Sequence, residues 1–129
     1  MSPAIGPYRP LVRAGPWLVC SGQLGIGPDE PPALVAGGTV GQLVQALHNA
    51  DRLLGTEGAD LSHVVKTTIY LLDMADYGDV NEAYAASFDG AYPARTVVAV
   101  AGLPLGARVE VECWAYLPAR GVPGPAPAD

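Results

Sequence analysis

Between Tyr92 and Glu112 the chain reads YPARTVVAVAGLPLGARVEVE, and this stretch constrains the fold more than any other. A β-branched apolar run, Thr96–Ala101, opens just after a Tyr-Pro-Ala turn. It breaks at Leu103-Pro104-Leu105-Gly106 and resumes as an alternating run, Arg108–Leu117. Both runs read as strands, and the proline and glycine between them exclude one continuous element. Arg95 stands at the head of the first strand, where a guanidinium can clamp a carboxylate bidentately. Glu110 and Glu112 share one face of the second, so either can manage a proton or a water. The same residues equally suit a solvated turn arginine and the wet face of a half-buried strand. Spacing alone leaves both readings open.

The remaining elements follow from punctuation and periodicity. Leu11-Val12 and Trp17–Ser21 flank Ala14-Gly15-Pro16 and predict a hairpin. GIGPDEPPALVAGG is a loop. Thr39 is the expected N-cap of a first helix, TVGQLVQALHNADRLLGTEG, whose Leu43, Leu47, Ala50 and Leu54 form an apolar stripe ended by Gly55 or Gly58. His63–Leu72 predicts a central strand. Asp76 is the expected cap of a second helix, DYGDVNEAYAASF, with Val80, Ala83, Tyr84 and Phe88 inward. The order β-β-α-β-α-β-β predicts an α+β fold, a mixed sheet with two helices on one face. The uncovered face calls for oligomerisation. Residues 1–117 read as a single domain, and the four-proline segment PARGVPGPAPAD, 118–129, as a disordered tail.

Composition narrows the function classes. Half the residues are hydrophobic and 16% charged, which points to apolar surface covered by other subunits. The net charge is −6, and Arg9, Arg13, Arg52, Lys66, Arg95, Arg108 and Arg120 are scattered, so no nucleic-acid partner is expected. No apolar run approaches the roughly 18 residues of a membrane span, and MSPAIGPYRP does not read as a signal peptide, so no membrane partner and a cytoplasmic location are expected. Cys20 and Cys113 read as buried strand residues, and His48 and His63 form no metal motif. Lys66, the only lysine, reads as a strand-end charge rather than a nucleophile.

IGPY, SGQLG, QALHNADRLL, VVKTTIYLLDMADYGDVNEAYAASF, YPAR and VAGLPLGARVEVE follow one another from about Ile5 to Ala115. In that order they resemble the reactive intermediate deaminase family, the YjgF-type or L-PSP-type proteins. The resemblance implies a chorismate-mutase-like α+β fold, a homotrimer with a central barrel and one active site in each subunit cleft. It implies a cofactor-free, metal-free hydrolase converting the imines of 2-aminoacrylate and 2-aminocrotonate to 2-keto acids and ammonia. By the same resemblance Arg95 binds the substrate carboxylate and Glu110, rather than Glu112, positions or activates the water. Tyr8, Asn81 and Gly22 would line the site, Tyr8 and Asn81 across the trimer interface or within one chain. Two residues depart from the family pattern. Val97 stands where proven deaminases often carry Cys or Thr, leaving only its backbone to orient substrate. Arg9 adds a positive charge that favours a larger or doubly anionic substrate. An L-PSP-type endoribonuclease and a non-catalytic small-molecule-binding trimer are the alternative readings.

Overall fold

Strict alternation along Val109–Tyr116 (β5) sets the architecture. Val109, Val111, Cys113 and Ala115 are buried, whereas Glu110, Glu112, Trp114 and Tyr116 point the other way. The computed structural model describes residues 6–118 and contains β1 (Leu11–Ala14), β2 (Trp17–Leu24), α1 (Gly38–Gly55), β3 (Val64–Leu71), α2 (Tyr77–Phe88), β4 (Ala94–Ala99) and β5. The sheet runs β1-β2-β5-β3-β4, so the last strand in sequence is central. β5 pairs antiparallel with β2 and β3, while β3 and β4 are parallel, with α2 between them in sequence as such a pair requires. The α+β class, the element order and the two helices are as expected. The Pro-rich segment lies, from residue 119 onward, outside the described residues, as does Ile5.

One face of the sheet is sealed. Leu43, Leu47, Ala50 and Leu54 of α1 meet Leu18, Ile69, Leu71 and Val111 in a single core, joined by Val80, Tyr84 and Phe88 of α2. Cys20 and Cys113 face each other across β2 and β5 inside it. The opposite face carries Val12, Val98 and Trp114, each more than a third exposed. Trp17 packs edge-on against Trp114 at 6.0 Å and against Tyr116 at 5.0 Å there.

Thr39 lies inside α1 and Asp76 stands at the N-cap position of α2, but neither makes a capping hydrogen bond, and for a shared reason. Gly37, in the left-handed region at φ 105°, precedes α1, and no side chain caps it. Thr39 Oγ1 instead donates to Asp76 Oδ2 at 2.6 Å and accepts from Arg108 Nε at 2.8 Å. Asp76 precedes α2 without capping it, because its carboxylate is taken by Thr39 and by Arg108 Nη2 at 3.2 Å. Arg108 N donates to Gln42 Oε1 at 2.8 Å. Long-range bonding thus outcompetes local capping and ties together the starts of α1, α2 and β5.

The Thr39 hydroxyl, and then Arg108, hold the Asp76 carboxyl below the usual carboxylate range. Such a group stabilises the native state fully above its unfolded pKa and loses that contribution as pH falls through the lowered native value. Asp76→Ala should therefore cost about 1 kcal/mol near neutral pH, a figure discounted for the partial exposure of the pair. Thermal melting should show a drop of about 4 °C. That gap should narrow as pH falls through the lowered Asp76 pKa, and a constant gap down to acid would count against the tether.

Candidate active site

The β-bulge between Cys20 and Gln23 shapes one cleft. Tyr8, Ser21, Gly22, Leu24, Pro104 and Glu110 line about 320 Å³. Ser21 Oγ donates to the Arg9 carbonyl at 2.7 Å, which holds the Tyr8-Arg9 segment beside the Gly22 bulge. Gly22 is required by space. A Cβ there would overlap the Glu110 carboxylate, with Cδ at 2.7 Å and Cγ at 2.9 Å. The Pro104–Gly106 turn delivers Pro104 to the rim and holds Leu105 at φ 59°, a strained region for a branched side chain.

Geometry separates the two glutamates that spacing left equivalent. Glu112 Oε1 accepts from Tyr70 Oη at 2.7 Å, and that bond, with burial and the two glutamate charges, pushes the Tyr70 phenol up to about 12. Glu110 receives no hydrogen bond from the described residues. Burial first, and then the charge of Glu112, raise the Glu110 carboxyl above its ordinary range. A partly desolvated carboxylate without a donor is the better proton acceptor of the two.

Arg95 lies in a different place. Asn81, Tyr84, Ala85, Tyr92, Pro93 and Arg95 line a second cleft of about 300 Å³ between α2 and β4. The guanidinium carbon sits 4.9 Å from the Tyr84 ring centroid and 5.8 Å from that of Tyr77, and Nη2 donates to Tyr77 Oη at 3.4 Å. No carboxylate among the described residues pairs with it. Tyr84 Oη and Thr67 Oγ1 share a buried hydrogen bond of 2.7 Å. Burial raises the Tyr84 phenol, and the nearby Arg95 charge acts in the opposite sense.

Within one chain, Arg95 and Glu110 do not share a cleft. Arg95 is in register with Thr67, whose side chain is buried under α2, whereas Glu110 is in register with Tyr70, three residues on. An odd offset places them on opposite faces of the sheet. Tyr8 and Gly22 join Glu110, and Asn81 joins Arg95. Val97 shares the Arg95 face but packs against the core and does not line the cleft. Within one chain the residues expected to form a single site are therefore divided between two clefts. Tyr77, Tyr84 and Tyr92 were missed as site residues. Tyr77, Asn81 and Tyr84 stand at i, i+4 and i+7, one face of α2, and that period was the available signal.

The endoribonuclease L-PSP family model matches residues 1–117. The mouse 2-iminobutanoate/2-iminopropanoate deaminase is 46% identical over 112 residues, spanning 87% of this chain and 82% of the mouse protein. Crystal structures of RidA from the Antarctic bacterium Psychrobacter sp. PAMC 21119 and of the E. coli YjgF gene product superpose with TM-scores of 0.84 and 0.81. Their identities are 36% and 34%, covering 89% and 88% of this chain and 92% and 90% of theirs.

The contact between Gly22 and Glu110 makes a direct prediction. Gly22→Ala should fold but push the flexible end of Glu110 out of its cleft, returning that carboxyl toward the ordinary range as burial is lost. Carbon-13 NMR titration of the glutamate carboxyls reads this, and an unmoved Glu110 would show that the cleft does not confine it.

Proposed function

The chain belongs to the endoribonuclease L-PSP family, the Rid and YjgF proteins, and on that premise we propose that it hydrolyses 2-imino acids to 2-keto acids and ammonia. One observation carries the reading: a guanidinium without an acidic partner and a carboxylate without a donor, each lining its own cleft. Such groups are costly to leave unmatched, and a substrate bearing one carboxylate and one electrophilic carbon matches both.

The two halves lie on opposite faces of one sheet, so a complete site needs a second copy of the chain. We place it in a homotrimer whose uncovered sheet faces form a central barrel, with the Arg95 cleft of one subunit meeting the Glu110 cleft of the next. The apolar surface of Val12, Val98 and Trp114 supports that assembly. Tyr8 and Asn81 then act from different chains. A cytoplasmic location belongs to the same proposal, and no described helix is long and apolar enough to cross a membrane.

The enamine first tautomerises to the imine, which is protonated on nitrogen. Arg95 holds the carboxylate through two parallel N–H···O bonds. A water beside Glu110 attacks C2 and gives its proton to the Glu110 carboxylate. The C=N π electrons move to nitrogen and form a neutral carbinolamine. Glu110 returns the proton to nitrogen, the C–N bond breaks to release ammonia, and the hydroxyl proton passes through Glu110 to that ammonia as the oxygen forms the ketone. Positioning and proton transfer suffice, because the protonated imine is already electrophilic. The backbone near Gly22 orients the substrate. Arg9, beside the Glu110 cleft, favours a second anionic group on it. The ribonuclease reading gains nothing from the charge, because seven cations scattered along the sequence face a net charge of −6.

Arg95→Ala should abolish ammonia release from freshly generated 2-aminoacrylate, and Arg95→Lys should recover little of it. The lost clamp should cost on the order of 2–5 kcal/mol. Glu110→Gln should be inactive while Glu112→Gln is milder, and the wild-type acid limb of kcat/KM should lie above the ordinary carboxylate range. An Arg95→Ala enzyme within a few-fold of wild type would refute the site. Wild type that binds pyruvate but turns over no imine would instead favour a binding trimer. Sedimentation of the wild type should give a trimer, and a monomer at micromolar concentration would remove the intersubunit site.

A further inference from the structure

Sequence periodicity assigns Tyr84 to the core, and it is 4% exposed there. Two contacts give it a further part. Its hydroxyl is fixed by Thr67, a side chain only 1% exposed, at 2.7 Å. Its ring face is turned to Arg95, whose guanidinium carbon lies 4.9 Å from the centroid. Thr67 is also the residue in register with Arg95 on the neighbouring strand. The hydroxyl anchor and the guanidinium are therefore adjacent in the sheet, with the tyrosine ring spanning them. Phe88 backs the same ring at 4.7 Å, tilted by 38°, and limits its swing.

We propose that Tyr84 is a positioning residue for substrate recognition, a π face locked by Thr67 that holds the unpaired Arg95 guanidinium ready for a carboxylate. This rests on the deaminase reading and deepens it. An arginine on a flexible stem loses rotamer freedom on gripping a ligand, and a stem already held loses less. A carboxylate partner would hold it too but would neutralise the charge the substrate needs. An aromatic face attracts the cation and leaves its in-plane N–H donors free. Only Nη2 makes a bond among the described residues, the long one to Tyr77 at 3.4 Å. The other donors are available for the bidentate grip. Tyr77, an exposed residue, supplies a second, looser face at 5.8 Å.

The test uses the full chain, with 2-aminoacrylate for turnover and pyruvate for binding by calorimetry. Tyr84→Leu should raise KM and the pyruvate Kd together by about tenfold, the scale of a partly desolvated cation–π contact. Its kcat should stay within about threefold of wild type, because the clamp engages substrate and transition state alike. Tyr84→Phe keeps the ring and should restore most of the affinity, to within about threefold. A Leu variant that binds pyruvate as wild type does would overturn the inference, as would a Phe variant as impaired as Leu. Should Tyr84→Leu melt below the assay temperature, Thr67→Val decides. It frees the ring without opening a cavity and should raise the pyruvate Kd about threefold, and an unchanged Kd overturns the proposal. Wild type that binds pyruvate without turnover refutes the deaminase reading and leaves this pattern of affinities intact. Wild type that binds no 2-keto acid refutes both.

Discussion

The parity of β5 governs this molecule. It lies at the centre of the sheet and is paired on both edges, so a slip of one residue would exchange its two faces. Val109, Val111, Cys113 and Ala115 would then turn outward, and two carboxylates would enter the core. Desolvating those charges beneath α1 is prohibitive, which makes the register close to unique. Everything else is referred to that choice. The helices cover the side that β5 makes apolar, and Glu110 belongs to the other.

Function then uses what stability would have removed. Because its pKa is raised in the folded chain, Glu110 favours the native state least above that pKa. The Arg95 charge is likewise held without a counter-ion among the described residues. A chain optimised for stability alone would pair such groups, as Arg108 is paired with Asp76 and Glu112 with Tyr70. The contrast between satisfied and unsatisfied charges on neighbouring elements marks the site more sharply than cleft volume does. It also explains why the two halves need each other in the proposed trimer, where substrate supplies complements that the isolated chain lacks.

Much of this was legible in the sequence, wherever one local rule acted alone. β-Branched apolar content located β3 and β4, and period-two alternation β5, to within a residue or two, and helical spacing found the stripe of α1. Reading failed where distant partners competed with local ones. Thr39 and Asp76 have the chemistry of caps but spend it on each other and on Arg108, 69 and 32 residues away respectively. Nothing in a linear string reveals that. The family resemblance named Tyr8, Gly22, Asn81, Arg95 and Glu110 as one set, and the clefts divide them into Tyr8 and Gly22 with Glu110, and Asn81 with Arg95. It did not reveal that the sheet stands between the two groups, because strand parity across β3 is a property of pairing and not of order. Tyr84 was seen only as apolar bulk, since periodicity reports where a ring points and not which face it presents.

The paired tryptophans have a spectroscopic consequence. Trp17 and Trp114 are the only indoles in the chain, and they touch each other on the open face of the sheet. The helix-covered core holds none, so intrinsic fluorescence is blind to the interior and sensitive to whatever lies against that face. Emission maximum and quencher access therefore report whether the face is wet or covered. Because the indoles are remote in sequence, 17 and 114, their mutual excitonic signal in the far ultraviolet vanishes once β2 separates from β5. One pair of side chains thus gives separate optical readings of subunit contact and of strand pairing, with no label introduced.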